Sequence, residues 1–485
     1  MVRARREVFR HGVHAAALLL GVAPACLPAA VFDCDEDSQC APLGADARCE
    51  SVGYCSVPDD ACASMRRYHE FAGGGLAGHC TEQACGDGNQ SDDEQCDDGN
   101  DVDGDGCNHD CTRSGQPVWT KTYASVGFVE DRAYALAVDS HGDFAVIGHV
   151  SVADQGFNLW IRKYRNDGTE VWTWVLDGGA MADEEGWAIL ADANDDFVVA
   201  GYVNTPEGGP DAWIGKLSRD GLLLWSAQQD GGVAGVDEVR GIAFAPDGDL
   251  VALGYATPST TTDTDLWFQR RSGDGQQVRW TQLREGFPGG MPDRGHAVIA
   301  LDDAFVGVGY RQTTANEQFY WLARFDGAGN DVWVDEGAMT EPPGTWTTVR
   351  AALNGDLLLA GWRRADAGDN DMWLQRRDPG GALLWQDIVG SPAGADDRAN
   401  VIAAARDGGF VVGGEMGAGA GSTDAWIRRY DAEGNARWTE TVSGPAGDRD
   451  TIWGLGFDPA GNILACGYVS TPQTSWDIWV RKYTP

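Results

Sequence analysis

Basic residues are scarce in this chain. Lys and Arg total 36 against 74 Asp and Glu, so its 485 residues carry a net charge of −38. Without a cation excess there is nothing to displace counterions from phosphates, which excludes nucleic acid as a partner and also docking on anionic lipid. Long apolar runs are lacking too. None beyond the first 30 residues matches His14–Val22, and that one is too short for a permanent membrane helix. Histidine is rare: beyond residue 112 there are only His141, His149 and His296. In that region cysteine is reduced to Cys466, whereas tryptophan is absent before Trp119. No G-x-S-x-G elbow occurs, and His69-Glu70 lacks the second His of a zinc-protease helix because Gly73 stands in its place. The sequence shows no His–carboxylate cluster at metal-ligand spacing. Of the usual catalytic sets only paired carboxylates remain, which keeps a polysaccharide-acting hydrolase or lyase as an alternative.

What is present falls into segments. Residues 1–25 read as an export signal: Arg3, Arg5, Arg6 and Arg10 precede the apolar stretch, and Ala23-Pro24-Ala25 forms a small-residue cleavage site. Cys26 follows directly, as the acylated cysteine does in bacterial lipoproteins. The expected mature protein is therefore a lipoprotein anchored through Cys26 at the outer membrane or cell surface, or a secreted protein if cleavage ignores Cys26. A linker, residues 26–33, leads into a cysteine-rich module, residues 34–112. Between Phe32 and Thr112 lie ten cysteines, 20 acids and three bases. An exported segment of this kind has too few large apolar residues for a core and is expected to be stapled by disulfides. Zinc is disfavoured because no C-x-x-C pair occurs.

Cys85-Gly86-Asp87-Gly88, Glu94-Gln95-Cys96-Asp97-Asp98-Gly99-Asn100, Asp103-Gly104-Asp105-Gly106-Cys107 and Cys111 closely resemble the cysteine-rich repeat of myxobacterial surface proteins. The resemblance implies a surface or secreted location and no defined activity. Asp101, Asp103 and Asp105 also form the front half of a D-x-D-x-D-G calcium loop, but Thr112 stands where the closing Glu belongs. Ca2+ is accordingly the one cofactor to test, against a plain glycine-rich turn with solvated acids.

From residue 115 to 485 the chain repeats itself. Trp119, Trp172, Trp225, Trp280, Trp333, Trp385 and Trp438 recur at 52–55 residues, as do Trp160, Trp213, Trp267, Trp321, Trp373, Trp426 and Trp479. A third series is Gly148, Gly201, Gly254, Gly309, Gly361, Gly414 and Gly467. One unit reads as four short strands: Tyr134–Asp139, Phe144–Val150, Leu159–Arg165 and Glu170–Leu176. Seven such units predict an all-β, seven-bladed β-propeller of four-stranded blades. Val118–Tyr123 is a fourth strand without a third before it, and Trp479–Tyr483 a third without a fourth after it. The N-terminal strand is therefore expected to close the last blade and remove its open edge. Asp211-Ala212-Trp213-Ile214-Gly215-Lys216 and Asp424-Ala425-Trp426-Ile427-Arg428-Arg429-Tyr430-Asp431 resemble the propeller repeats of large secreted bacterial proteins, a resemblance that implies fold and export only.

Most recurring residues are expected to pack. Lys163, Lys216, Arg324, Arg376 and Lys482 are expected to pair with acids of neighbouring strands, and Cys466 to be a small buried apolar residue. The loops after second and fourth strands are the long ones, and alternating strand direction puts them on one face. On that face an acid recurs, Asp131, Glu184, Asp237, Asp293, Asp397 and Asp450, as a loop cap or a cation ligand. Three residues later identity varies: Tyr134, Trp187, Arg240, His296, Asn400 and Trp453. Innermost strands place these at the channel mouth, where aromatic, cationic and amide groups suit a polar or sugar-like ligand. The expected function is a non-catalytic binding or scaffold propeller on a disulfide-rich stalk, monomeric, with a protein or glycan ligand. A structural envelope component is a further alternative.

Overall fold

The computed structural model describes residues 33–485 except 45, 51, 63–65, 74–75, 82–84, 87, 89, 91–93, 126–129, 154, 180–182, 206–208, 230–234, 259–262, 286–290, 303, 366–367, 393, 420 and 473. The leader and Cys26 lie outside the described residues. The chain divides into two compact units, residues 1–94 and 95–485.

In the first unit a short helix, Asp37–Cys40, precedes a three-stranded antiparallel sheet of Arg48–Cys49, Cys55–Pro58 and Arg66–Tyr68. Its small core consists largely of sulfur: Cys34, Cys40 and Cys55 are buried together with Ala47. The disulfides Cys34–Cys49, Cys40–Cys55 and Cys62–Cys80 supply what such a core cannot. These bonds are compatible with an exported protein.

The second unit is all-β and propeller-like, with seven four-stranded antiparallel sheets among the described residues. The inner strands are Arg132–Val138, Glu185–Ala191, Glu238–Phe244, Arg294–Leu301, Gly344–Ala351, Arg398–Ala404 and Thr451–Phe457, here taken to number sheets one to seven. Each inner strand packs against the next, and Thr451–Phe457 packs against Arg132–Val138. Pro117–Tyr123 pairs antiparallel with Trp476–Tyr483 as the outer strand of sheet seven. The second strands, such as Phe144–Val152 and Leu250–Ala256, are buried along almost their whole length because neighbouring sheets cover both faces. Outer strands such as Glu170–Leu176 alternate instead between exposed and half-buried residues.

The unit begins before the first repeat. Residues 95–112, with the Cys96–Cys107 disulfide, pack with the sheets, although the sequence pattern assigns them to the cysteine-rich module. The Gly115 N–H donates to the Pro485 carbonyl (3.0 Å), and Thr484 Oγ1 donates to the Arg113 carbonyl (2.7 Å).

Two tryptophan series hold sheet to sheet. Trp160, Trp321, Trp426 and Trp479 on third strands are at most 2% exposed. Truncating such a side chain to alanine would cost about 3–5 kcal/mol. Outer-strand tryptophans reach across to the next sheet's hairpin turn: Trp172 Nε1 donates to the Arg219 carbonyl (2.9 Å) and Trp280 Nε1 to the Gly327 carbonyl (3.0 Å). The glycine of that turn lies against the indole. A Cβ on Gly434, whose φ is +87°, would come within 2.5 Å of Trp385. This contact explains why the hairpin glycine and Trp recur together.

The expected charge pairs form, but with acids of the turn between the first and second strands of the same sheet. Lys163 meets Asp139 (2.9 Å), Lys216 meets Asp192 (2.7 Å), Arg376 meets Asp356 (2.8 Å) and Lys482 meets Asp458 (2.8 Å). Arg324 differs, donating to the Pro379 carbonyl. Cys466 is fully buried, and burial pushes its thiol pKa well up, as for a small apolar residue.

Candidate functional site

Every inner strand carries a β-bulge at the same level. In sheet three, Val239 pairs with Gly254 and Gly241 with Leu253, so Arg240 has no partner in the ladder. The equivalent extra residues are Tyr134, Trp187, His296, Thr347, Asn400 and Trp453. A bulge re-aims a side chain, and these are the positions the sequence places at the channel mouth. The glycine series permits the bulge: a Cβ on Gly254 would meet the Glu238 carbonyl oxygen at 1.9 Å. Thr347 fills sheet five, where the acid series is broken and sequence reasoning found no candidate. Counting back from Gly361 would have located it.

The seven residues line one cavity of about 670 Å3. Three rings from sheets seven, one and two cluster there. Tyr134 stacks on Trp187 with centroids 3.8 Å apart, and Trp453 stands edge-on to both, at 5.9 and 6.4 Å. The Arg240 guanidinium lies 3.4 Å from the Trp187 ring centroid, and Glu238 holds it from behind at 2.6 Å. His296 Nδ1 lies 3.0 Å from the Trp346 carbonyl. Burial, aided by the Arg240 charge, lowers the His296 pKa to about 4, so this imidazole is neutral at pH 7. Asn400 is committed to structure: its amide donates to Thr451 Oγ1 (2.8 Å) and the Ile452 carbonyl (3.2 Å) in sheet seven. Likewise the Thr347 hydroxyl lies 2.8 and 2.6 Å from the Ala360 and Ala399 carbonyls. Tyr134, Trp187, Arg240, His296 and Trp453 therefore remain as the groups able to meet a ligand.

The recurring acids cap loops. Asp131 Oδ1 accepts the Ser151 N–H (2.9 Å), Asp237 the Thr257 N–H (2.8 Å), Asp293 the Gln312 N–H (2.9 Å) and Asp397 the Gly417 N–H (2.6 Å). Their own N–H groups donate to the preceding sheet, as Asp237 does to the Pro210 carbonyl (2.8 Å). They clip neighbouring sheets and do not line the cavity, whose described lining contains neither Asp nor Glu. Just behind that lining, His149 is fully buried, stacked on Phe157, with Nδ1 3.3 Å from Glu185.

The ligand atoms of Asp101, Asp103 and Asp105 do not all lie within 4.8 Å of one another. Asp103 Oδ1 accepts the His109 N–H (2.9 Å) and lies 2.7 Å from its ring Nδ1, whereas Asp105 sits beside Asp98 with its pKa raised by burial and that charge. Sequence reasoning saw no His–carboxylate cluster, but Asp139, His141 and Asp195 have ligand atoms within 4.8 Å of one another. Two separate turns form this group, which is why residue spacing did not reveal it. Its carboxylates are already engaged, Asp139 by Lys163 (2.9 Å) and Asp195 by the Ser140 N–H (2.9 Å).

The fold and cavity define a propeller-like all-β protein with an aromatic and cationic cavity. No protein-family model and no curated protein matches the chain. Solved structures similar to it include the β-propeller domain of the trilobed protease from Pyrococcus furiosus (TM-score 0.41, 11% identity, 73% of this chain and 94% of that one). Others are a PL25 ulvan lyase (TM-score 0.47, 11% identity, 75% and 96%) and Sqt1 of Chaetomium thermophilum bound to the N-terminus of ribosomal protein L10 (TM-score 0.42, 11% identity, 76% and 100%).

Proposed function

We propose that this is an exported carbohydrate-binding propeller whose ligand docks at the channel mouth. The observation that carries the reading is the Tyr134–Trp187–Trp453 cluster with Arg240 over it, at the top of a 670 Å3 cavity. Tyr134 covers one face of Trp187 and Arg240 the other, so aromatic contact with a sugar ring falls to Trp453 and the edges of the stack, and the cation fixes orientation. The lack of a carboxylate in the described lining favours binding over two-carboxylate hydrolysis. Seven blades and a ring closed by Pro117–Tyr123 complete the reading, supported by that strand's pairing with Trp476–Tyr483 and by the packing of Thr451–Phe457 on Arg132–Val138. The leader and the disulfides support export, with lipidation at Cys26. Mass spectrometry of the mature N-terminus checks this: a diacylglyceryl cysteine is expected, and an unmodified terminus at Val31 contradicts it.

The functional test is a glycan array probed with wild type and Trp187→Ala/Trp453→Ala. Glycan binding by wild type that the double variant loses supports the reading. Binding of no glycan, or binding unchanged in the variant, rejects the site; in the first case a protein ligand or an envelope scaffold takes its place.

A further inference from the structure

We infer that the channel holds an anion-binding subsite below its aromatic mouth, built on Arg350, and that the ligand carries an oxyanion: a carboxylate, sulfate or phosphate. The inference rests on the carbohydrate-binding reading and names the class of ligand, an acidic sugar.

Arg350 lies on the inner strand of sheet five, three residues beyond Thr347, hence roughly 10 Å further along the channel. Its ladder partner is Leu358. The equivalent positions in the other sheets hold Ala137, Leu190, Ala243, Ile299, Ala403 and Gly456. One sheet of seven therefore projects a long cation where the rest present apolar residues or glycine. Arg350 lines the cavity and is exposed to solvent within it.

Most arginines among the described residues meet a carboxylate, but Arg350, like Arg271, Arg294, Arg324 and Arg363, does not. Acids outnumber bases two to one, and Arg240, Arg270, Arg376, Arg377, Arg429 and Arg449 all meet carboxylates. Arg350 forms no ion pair among the described residues; its Nη1 donates to the carbonyl of its neighbour Val349 (2.9 Å). The surrounding protein lowers its pKa through desolvation, with no carboxylate to oppose it. A guanidinium stays charged in such a setting and presents a planar fork of donors that matches two oxygens of an oxyanion. The remaining charged group of the lining, Arg240, is already neutralised by Glu238. Arg350 is thus the free positive charge of the described cavity lining. An acidic sugar chain with one ring at the aromatic mouth and an acid group a unit or two further along would satisfy both.

The test is calorimetric titration of the whole chain, at low ionic strength, with sodium sulfate, D-glucuronate and D-glucose. Wild type, Arg350→Gln, Arg350→Lys and Trp187→Ala/Trp453→Ala are compared, with unchanged thermal unfolding required of each. Sulfate and glucuronate are expected to bind wild type and to weaken at least tenfold in Arg350→Gln. Arg350→Lys should keep part of that binding, and glucose should show no dependence on residue 350. If neither anion binds, or Arg350→Gln binds them as wild type does, the subsite is rejected. The arms separate the two readings. Arg350-dependent sulfate binding that survives the double tryptophan substitution supports the subsite even if the mouth fails. A neutral glycan that needs the tryptophans and ignores Arg350 supports the mouth; if the anions also ignore Arg350, the subsite falls.

Discussion

The Arg240 guanidinium sits 3.4 Å from the centroid of the Trp187 ring, each residue being the bulged member of its own inner strand in neighbouring sheets. The contact links two units 53 residues apart in sequence and orders this part of the cavity lining.

Arg240 is buttressed by Glu238, which is 7% exposed. Removing the cation alone leaves a buried carboxylate unpaired, which costs about 3–5 kcal/mol. Urea unfolding should show Arg240→Met as strongly destabilising and Arg240→Met/Glu238→Leu as less so. A double variant as unstable as the sum of its singles would deny the pair.

Gly254 should tolerate no side chain. A Cβ there would lie 1.9 Å from the Glu238 carbonyl oxygen, against backbone that sets the bulge. Gly254→Ala is expected to cost about 3 kcal/mol or more. Gly380→Ala, where the nearest atom is an Asp378 side-chain oxygen at 3.2 Å, should cost little. Thermal unfolding of the two variants makes the comparison.

Glu184 gives the stability a pH dependence. Burial raises its pKa from 4.5 to about 7, and the N–H groups of Gly178 and Asn204 only partly offset this. Between those values the folded state binds more protons than the unfolded, so this contribution to stability falls as pH rises from about 4.5 to 7. Glu184→Gln should remove that slope, gaining on wild type at pH 7.5 relative to pH 4.5. Equal pH profiles for variant and wild type would contradict the assignment.

The repeat was legible because it is written in residues that only one role suits. A tryptophan that clips the next sheet and a glycine beneath it recur wherever a sheet does, as Trp385 and Gly434 show. The cavity residues were legible by position only. A bulged residue has no ladder partner, so nothing about the strand fixes its identity, and Tyr134, Arg240 and Thr347 share no chemistry. That Asn400 serves its neighbour sheet depends on a hydrogen bond across 51 residues to Thr451, which no local pattern announces. Arg350 was missed for the opposite reason: in the sequence it is one more basic residue of a strand, and only the ladder shows that the equivalent positions of the other sheets hold apolar residues or glycine. The expected boundary near residue 112 followed cysteine spacing, whereas the sheets claim residues 95–112 through packing.

The most direct measurement is the affinity of the strongest array glycan for wild type, Trp187→Ala, Trp453→Ala and a control, Leu222→Ser, at an exposed turn position outside the cavity. Each mouth variant is expected to weaken binding by at least tenfold, about 1.4 kcal/mol, with the control unchanged. Undiminished binding by both tryptophan variants would contradict the account.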